Sequence, residues 1–409
     1  MLGAIIGDVA GSRFEFNNYR SKDFDLFTND CFATDDSIMS LAVAKAIMKT
    51  EKAKGESLNN YNYELLSDLT VKYMQEIGRK YPDCGYGEMF LRWVFSDNPR
   101  SYNSFGNGAA MRISPAGFAA KSYSEVCELS EAITKVTHNH EEGIKGAEAA
   151  ATAVFMAYNG YTKREIGERI IKDYYALDFM IDDIRKTYQF NETCQETVPQ
   201  AIKAFLESVS FEDSIRTAVS IGGDSDTVAA ITGGIAEAYY GVPGDIRDNA
   251  LKYLNQELRA IYDEWETFLA DSTGTQFKVL TKYVGRFSDA DTYGELIIDK
   301  INDGTKEHPR HFPFVKYSRI ADDFVKDFYQ FSSSHPEHQL NNYGGILKKN
   351  GIEWSGDEMR KADIEKLDAP CVLALIMGII RADRFSEGTL LNFFENGFIL
   401  KWLKRLQDI

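Results

Sequence analysis

Three acidic clusters in this chain carry residue types suited to cation-assisted chemistry. Gly7-Asp8 runs through Gly11 to Glu15, Thr34-Asp35-Asp36 precedes an apolar run over 38–48, and Asp224-Ser225-Asp226-Thr227 precedes another over 228–240. Taken singly, each is how an ordinary helix begins, since Thr or Asp caps free N–H groups and the helix dipole favours negative charge in the first turn. Taken together, Asp-Asp and Asp-x-Asp pairs beside threonines supply several hard oxygens within a few ångströms, and like charges that close need a cation. Neither stretch matches the longer EF-hand loop, so two short clusters sharing one or two magnesium ions are expected.

Two further segments could face the same ligand. Ser104-Phe105-Gly106-Asn107-Gly108-Ala109-Ala110-Met111-Arg112 is a Gly-bracketed loop running into small residues, a geometry in which backbone N–H groups cradle an anion. Thr137-His138-Asn139-His140 stands just before an expected helix, where a histidine serves as a cap or packing residue as readily as a catalyst. The other four histidines lie beyond residue 300 and show no zinc spacing.

These groups must be positioned by helices. Apolar residues recur at three- and four-residue spacing over 35–49, 61–80, 123–136, 142–158, 162–171, 197–207, 211–220, 227–240 and 246–269, whereas alternating strand patterns are nearly absent. The glycines of 7–15 predict a helix running into a loop, and the loops at 104–108 and 221–226 invite tight turns or close ligand approach. Residues 271–275 read as a linker between a domain over 1–270 and a smaller, mainly helical one over 276–409. In the latter, Phe312, Phe314, Tyr317, Phe324, Phe328, Tyr329 and Phe331 form an aromatic stripe that reads as core, and 369–382 reads as an apolar helix.

Composition narrows the function. Of 409 residues, 44% are hydrophobic and 13% aromatic, enough for a sizeable core and unlike a disordered chain. Forty-six basic against 62 acidic side chains leave a net charge of −16, which repels phosphate backbones and anionic membranes. Non-specific nucleic-acid binding is therefore excluded, and a nucleotide-like ligand needs something local and positive to offset the field. Five scattered cysteines without a C-x-x-C pair argue against a disulfide framework or structural zinc and fit a cytoplasmic protein. The first residues lack a basic n-region and include Asp8, unlike a signal peptide, and the longest apolar run, 372–380, is too short to span a bilayer.

In this order, the segments GAIIGDVAGSRFE, TDD, SFGNGAAMRISP, THNHEEGIKGA and GGDSDTVAAITGGIAEAYYG resemble the ADP-ribosylglycohydrolase family, over residues 1–265 or so and none of the remainder. The resemblance implies an all-α fold, a compact orthogonal bundle of many helices, with a binuclear magnesium or manganese centre at the mouth of a cleft. It implies an enzyme that cleaves the bond between ADP-ribose C1″ and an acceptor. Carried over by position, it implies metal ligation by Thr34, Asp35, Asp36, Asp224, Asp226 and Thr227, with Asp226 bridging both ions. Glu15 matches an acidic residue near the metals and the scissile bond, Gly106, Asn107, Gly108 and Met111 match the segment lining the diphosphate and distal ribose, and His138 lies beside that pocket. The interval between Glu15 and Thr34 is shorter than the family's pattern.

Breaking a ribosyl bond develops positive charge at C1″ and needs a water on one face. The useful parts are metals that grip the ribose hydroxyls and a carboxylate that activates the water. Glu15 is the first candidate for that carboxylate and Asp36 the alternative; inversion and retention both stay open, because they depend on a carboxyl separation. The expected substrates are an ADP-ribosylated protein side chain, a nucleic-acid base or a small O-acyl compound, with ADP-ribose as product and no membrane partner. A catalytically silent ADP-ribose binder is the alternative, disfavoured by the complete set of ligand residues.

Overall fold

Gly3, Gly7 and Gly11 fall on one face of the first helix, Leu2–Gly11, and that face lies against the helix Ser225–Tyr240. A Cβ at Gly3 would sit 2.0 Å from the Gly233 carbonyl oxygen, one at Gly7 2.0 Å from the Ala229 carbonyl oxygen, and one at Gly11 2.5 Å from the Asp226 Cα. The two helices therefore run antiparallel at backbone contact, and the end of the first meets the start of the second. The expected helix-into-loop over 7–15 is instead helix to Gly11 followed by a 3₁₀ turn, Ser12–Phe14. Here the glycines serve close helix approach. Gly7→Ala is expected to cost on the order of 3 kcal/mol, because the added methyl meets backbone with no side chain to give way; denaturant unfolding measures it, and an unchanged midpoint would contradict this packing.

The computed structural model describes residues 1–53, 61–272, 277–288, 290, 292–298 and 313–409. The chain divides into two compact units, Met1–Leu269 and Ala270–Ile409. Around the glycine-packed pair in the first unit stand Asp35–Ala53, Tyr63–Gly78, Tyr123–Thr134, Glu141–Tyr158, Cys194–Glu207 and Phe211–Val219, close to the predicted spans. Their starts follow from caps: Asn62, Ser122 and Ser210 each accept the N–H three residues on, and Thr162 and Glu165 form a capping box for Lys163–Asp173. The single helix expected over 246–269 is broken into Gly244–Ala250, a 3₁₀ turn and Gln256–Ser272. Leu254 is extended and the Asn255 side chain caps the new helix by accepting the Leu258 N–H at 3.1 Å, a start signal hidden inside an apolar repeat. That last helix also runs through Asp271 and Ser272, where a linker was expected; the rest of that linker, 273–275, lies outside the described residues.

The second unit has its own core. The apolar helix Ala369–Ala382 begins where Asp368 accepts the Cys371 N–H at 3.0 Å, and residues Cys371 to Ile380 are buried. Phe324, Phe328 and Phe331 of Arg319–Ser334 join that core, together with Trp402 of Phe398–Asp408. Of the predicted stripe, Phe314 is instead 49% exposed on a strand, and Phe312 lies outside the described residues. Strands Gly294–Ile297 and Phe314–Tyr317 pair antiparallel with Gly294 opposite Tyr317, the one sheet among the described residues of a mainly helical fold. All five cysteines are free, and no described helix is long and apolar enough to cross a membrane.

Candidate functional site

The antiparallel approach of Leu2–Gly11 and Ser225–Tyr240 delivers the acidic clusters to one place. Glu15 follows the 3₁₀ turn, and a ligand oxygen from each of Glu15, Asp224 and Asp226 lies within 4.8 Å of the others. Asp36 joins them through Thr227, whose hydroxyl donates to Asp36 Oδ1 at 3.3 Å. Asp35 stands beside Asp36 at the start of Asp35–Ala53, its N–H donating to the Cys84 carbonyl at 3.0 Å.

Asp8 supports this arrangement from below. Fully buried, it accepts the Thr34 N–H at 3.0 Å, the Thr34 hydroxyl at 2.7 Å, the Ser37 N–H at 3.1 Å and the Ser37 hydroxyl. It thus caps the Asp35 helix from another helix and fixes where Asp35 and Asp36 stand. Thr34 is buried beneath the cleft and does not line it, its hydroxyl being donated to Asp8.

The loop between helices that carries Asp224 needs glycine. Gly222 and Gly223 have φ of +75° and +73°, and the Asn18 side chain accepts the Gly223 N–H. Arg20 donates to the carbonyls of Ile221 at 2.8 Å, Tyr188 at 2.5 Å and Arg185, so the segment following Glu15 is tied to the Asp224 loop.

The predicted anion loop meets the acids in the same cleft. Asn107 donates its N–H to the Glu192 carbonyl at 2.7 Å, and its side-chain amide to Asp224 Oδ2 at 2.6 Å and Thr197 Oγ1 at 3.2 Å. One asparagine therefore joins the loop to the carboxylate cluster. Glu15, Asp35, Asp36, Asp224, Asp226 and Thr227 line one cleft with Gly106, Asn107, Gly108, Met111 and His138. Its volume is about 480 Å³, within the range of small-molecule sites. Sequence reasoning passed over Tyr102, Arg112, Glu192 and Thr193, which also line it. Arg112 ends the Gly-bracketed segment, where an arginine reads as a solvent-facing residue, yet it is 1% exposed.

Burial and mutual repulsion raise these carboxyls. Burial first, then neighbouring charges, pushes Asp35 up to about 8 and Glu15 up to about 7, and holds Asp36 and Asp226 well above the usual carboxylate range. Asp8 rises to about 6 through burial, opposed by its four donors. Asp36 Oδ2 and Asp226 Oδ1 are buried oxygens without a hydrogen-bond partner among the described residues. Orphaned oxygens in a repelling cluster are what a divalent cation satisfies, so the residues present fit a metal centre.

A pH dependence follows. Carboxyls raised above their unfolded pKa of about 4 bind more protons in the folded state, so metal-free stability falls as pH rises through the window that ends near the value of about 8 for Asp35. A divalent cation held by these carboxyls in the folded state would oppose this, and more so at higher pH, where protons compete less. The difference in melting temperature between magnesium and chelator is therefore expected to widen from pH 5 to pH 8; a pH-independent difference would contradict the cluster's role.

Residues 1–279 match the ADP-ribosylglycohydrolase family model, and residues 272–409 match a family of unknown function (DUF6508). Among curated proteins, the chain is 25% identical over 312 residues to ADP-ribosylhydrolase ARH3 of Xenopus tropicalis, covering 59% of this chain and 86% of that protein. It is 26% identical over 318 residues to ADP-ribosylhydrolase ARH3 of Homo sapiens (59% and 84% covered). It is also 26% identical over 271 residues to ADP-ribosylarginine hydrolase Tri1 of Pseudomonas putida (strain GB-1), covering 60% and 70%. A solved structure of an ADP-ribosylglycohydrolase-related protein complex aligns with a TM-score of 0.45 at 23% identity, over 64% of this chain and 94% of that one.

Proposed function

Since the chain belongs to the ADP-ribosylglycohydrolase family, we propose that it is a divalent-metal-dependent hydrolase that cleaves the bond between C1″ of ADP-ribose and an acceptor, releasing ADP-ribose. The acceptor classes are a protein side chain, a nucleic-acid base or a small O-acyl group. The observation that carries this reading is the pair of orphaned, buried carboxylate oxygens on Asp36 and Asp226, in a cleft that the glycine-bracketed Gly106–Gly108 loop also lines.

Thr34, Asp35, Asp36, Asp224, Asp226 and Thr227 are the residues that would hold two magnesium or manganese ions. The hydroxyl of Thr34 donates its proton to Asp8 and keeps a lone pair for a cation. When bound, the ions supply Lewis-acid charge that anchors the ribose hydroxyls. Glu15 takes a proton from the attacking water as positive charge grows at C1″, and a carboxyl raised to about 7 suits a base working near neutral pH. Asp36 is the alternative base. The Gly106–Gly108 backbone and His138 hold the diphosphate and keep C1″ in register with the acids. These groups all belong to the unit Met1–Leu269, to which we assign catalysis; the unit Ala270–Ile409 is assigned an accessory role. Release of free ADP-ribose from a panel of substrates modified on each acceptor class tests the reading, and no release from any of them with magnesium present would sink it.

A further inference from the structure

A ligand carrying a diphosphate enters a protein of net charge −16 and a cleft lined by carboxylates, so a local positive charge is required. Arg112 lines that cleft, is 1% exposed, and forms no ion pair among the described residues. Its Nε is buried without a hydrogen-bond partner among the described residues, and the Phe90 ring face lies 5.3 Å from its guanidinium carbon. Arg112 Nη2 donates to Thr137 Oγ1 at 2.7 Å and stands 3.2 Å from His138 Nδ1, while Thr137 Oγ1 is 2.7 Å from the same nitrogen. An arginine only donates. The Thr137 oxygen that accepts from Arg112 has two acceptors for its own proton, His138 Nδ1 at 2.7 Å and the Thr134 carbonyl at 3.5 Å; the nearer takes it, so both neighbours of Nδ1 present a hydrogen to it. Nδ1 therefore carries the lone pair and Nε2 the proton. Nε2 lies against the anion loop: a Cβ at Gly108 would stand 3.5 Å from it, and one at Gly106 3.6 Å.

We propose that Arg112 is a positioning residue which, with Thr137, fixes His138 as the Nε2–H tautomer, so that the ring donates to the diphosphate of ADP-ribose, and that the guanidinium supplies a local positive charge beside that loop. The inference rests on the cleft being an ADP-ribose site and adds which side chains answer the ligand's charge. Burial, with Arg112 as the second cause, holds the His138 ring well below the usual histidine pKa, in line with a neutral donor.

The test uses the full chain with ¹⁵N-labelled histidine and ADP-ribose as the probe. In the wild type, His138 is expected to show an unprotonated Nδ1 and a protonated Nε2 from pH 6 to pH 8. Thr137→Val removes the hydroxyl and keeps the shape. It is expected to admit the other tautomer, weaken the calorimetric Kd for ADP-ribose about tenfold, and raise KM far more than it lowers kcat. Arg112→Lys retains a charge and is expected to lose the geometry and show the same direction. A protonated Nδ1 in the wild type, or two folded variants with unchanged tautomer and unchanged Kd, overturns the proposal. Should Arg112→Lys fail to fold, the wild-type spectrum and Thr137→Val decide. Absence of ADP-ribose binding by the wild type overturns both the diphosphate role and the reading it rests on, whereas normal wild-type binding with an unaltered Thr137→Val overturns the relay alone.

Discussion

Asp226→Ala abolishes turnover while the helical signal stays. Asp226 opens the helix Ser225–Tyr240, is 4% exposed, and lies at backbone contact with Gly11, which fixes where its oxygens stand among those of Glu15 and Asp224. One of those oxygens is buried and unpaired and the carboxyl is destabilised by Asp224, Asp36 and Glu15, so alanine relieves repulsion in the metal-free protein. The variant should therefore be at least as stable as the parent in chelator, yet lose most of the melting-temperature increment that magnesium gives the parent. Loss of an outer-shell partner costs roughly 10–100-fold in affinity or activity, and a direct ligand should cost more than that range. Ordinary turnover by Asp226→Ala at millimolar magnesium would remove the binuclear assignment.

Glu15→Gln is the second large effect. Glutamine keeps the size and hydrogen bonding of the side chain and cannot take a proton, so kcat should fall about 10²–10⁴-fold if Glu15 is the general base. Affinity for ADP-ribose should persist. The structure sharpens the choice, because a Glu15 oxygen lies within 4.8 Å of oxygens of Asp224 and Asp226, close enough for the three to share a cation, and Glu15 is half-buried where they are buried. If the substitution weakens magnesium binding in calorimetry and leaves the rate at saturation nearly intact, Glu15 is a ligand or a gate, and Asp36 takes the role of base.

Much of the architecture was legible because the signals are local. The helix from Asp35 and the helix from Ser225 begin at acidic caps and carry apolar faces, so both their positions and their partnership in one acidic site could be expected. The motifs of the first unit identified its family for the same reason. What was hidden is tertiary. Gly7 and Gly11 read as the break of a helix into a loop, because a single sequence does not say that another backbone lies 2.0 Å beyond the missing methyl of Gly7 and 2.5 Å beyond that of Gly11. Asp8 read as possible chemistry; it proves to cap a helix that begins 27 residues later, a pairing no spacing rule contains. Arg112 was quoted within a motif and given no part, since burial of an arginine is decided by the elements around it. Asn255 was overlooked because its cap interrupts an apolar repeat that continues on both sides. The tail offered a core and no chemistry, and its match to a family of unknown function leaves its role to experiment.

The central claim is that this cleft hydrolyses an ADP-ribosyl bond with the help of divalent cations held by Asp36 and Asp226. Free ADP-ribose released from a modified substrate by the purified full chain, followed before chelation, after chelation and after restoring magnesium, tests it most directly. Release is expected to stop in chelator, return with magnesium, and return in proportion to about two ions bound per chain. Release that continues undiminished in chelator, or none at all from any acceptor class while the folded protein binds magnesium, would contradict it.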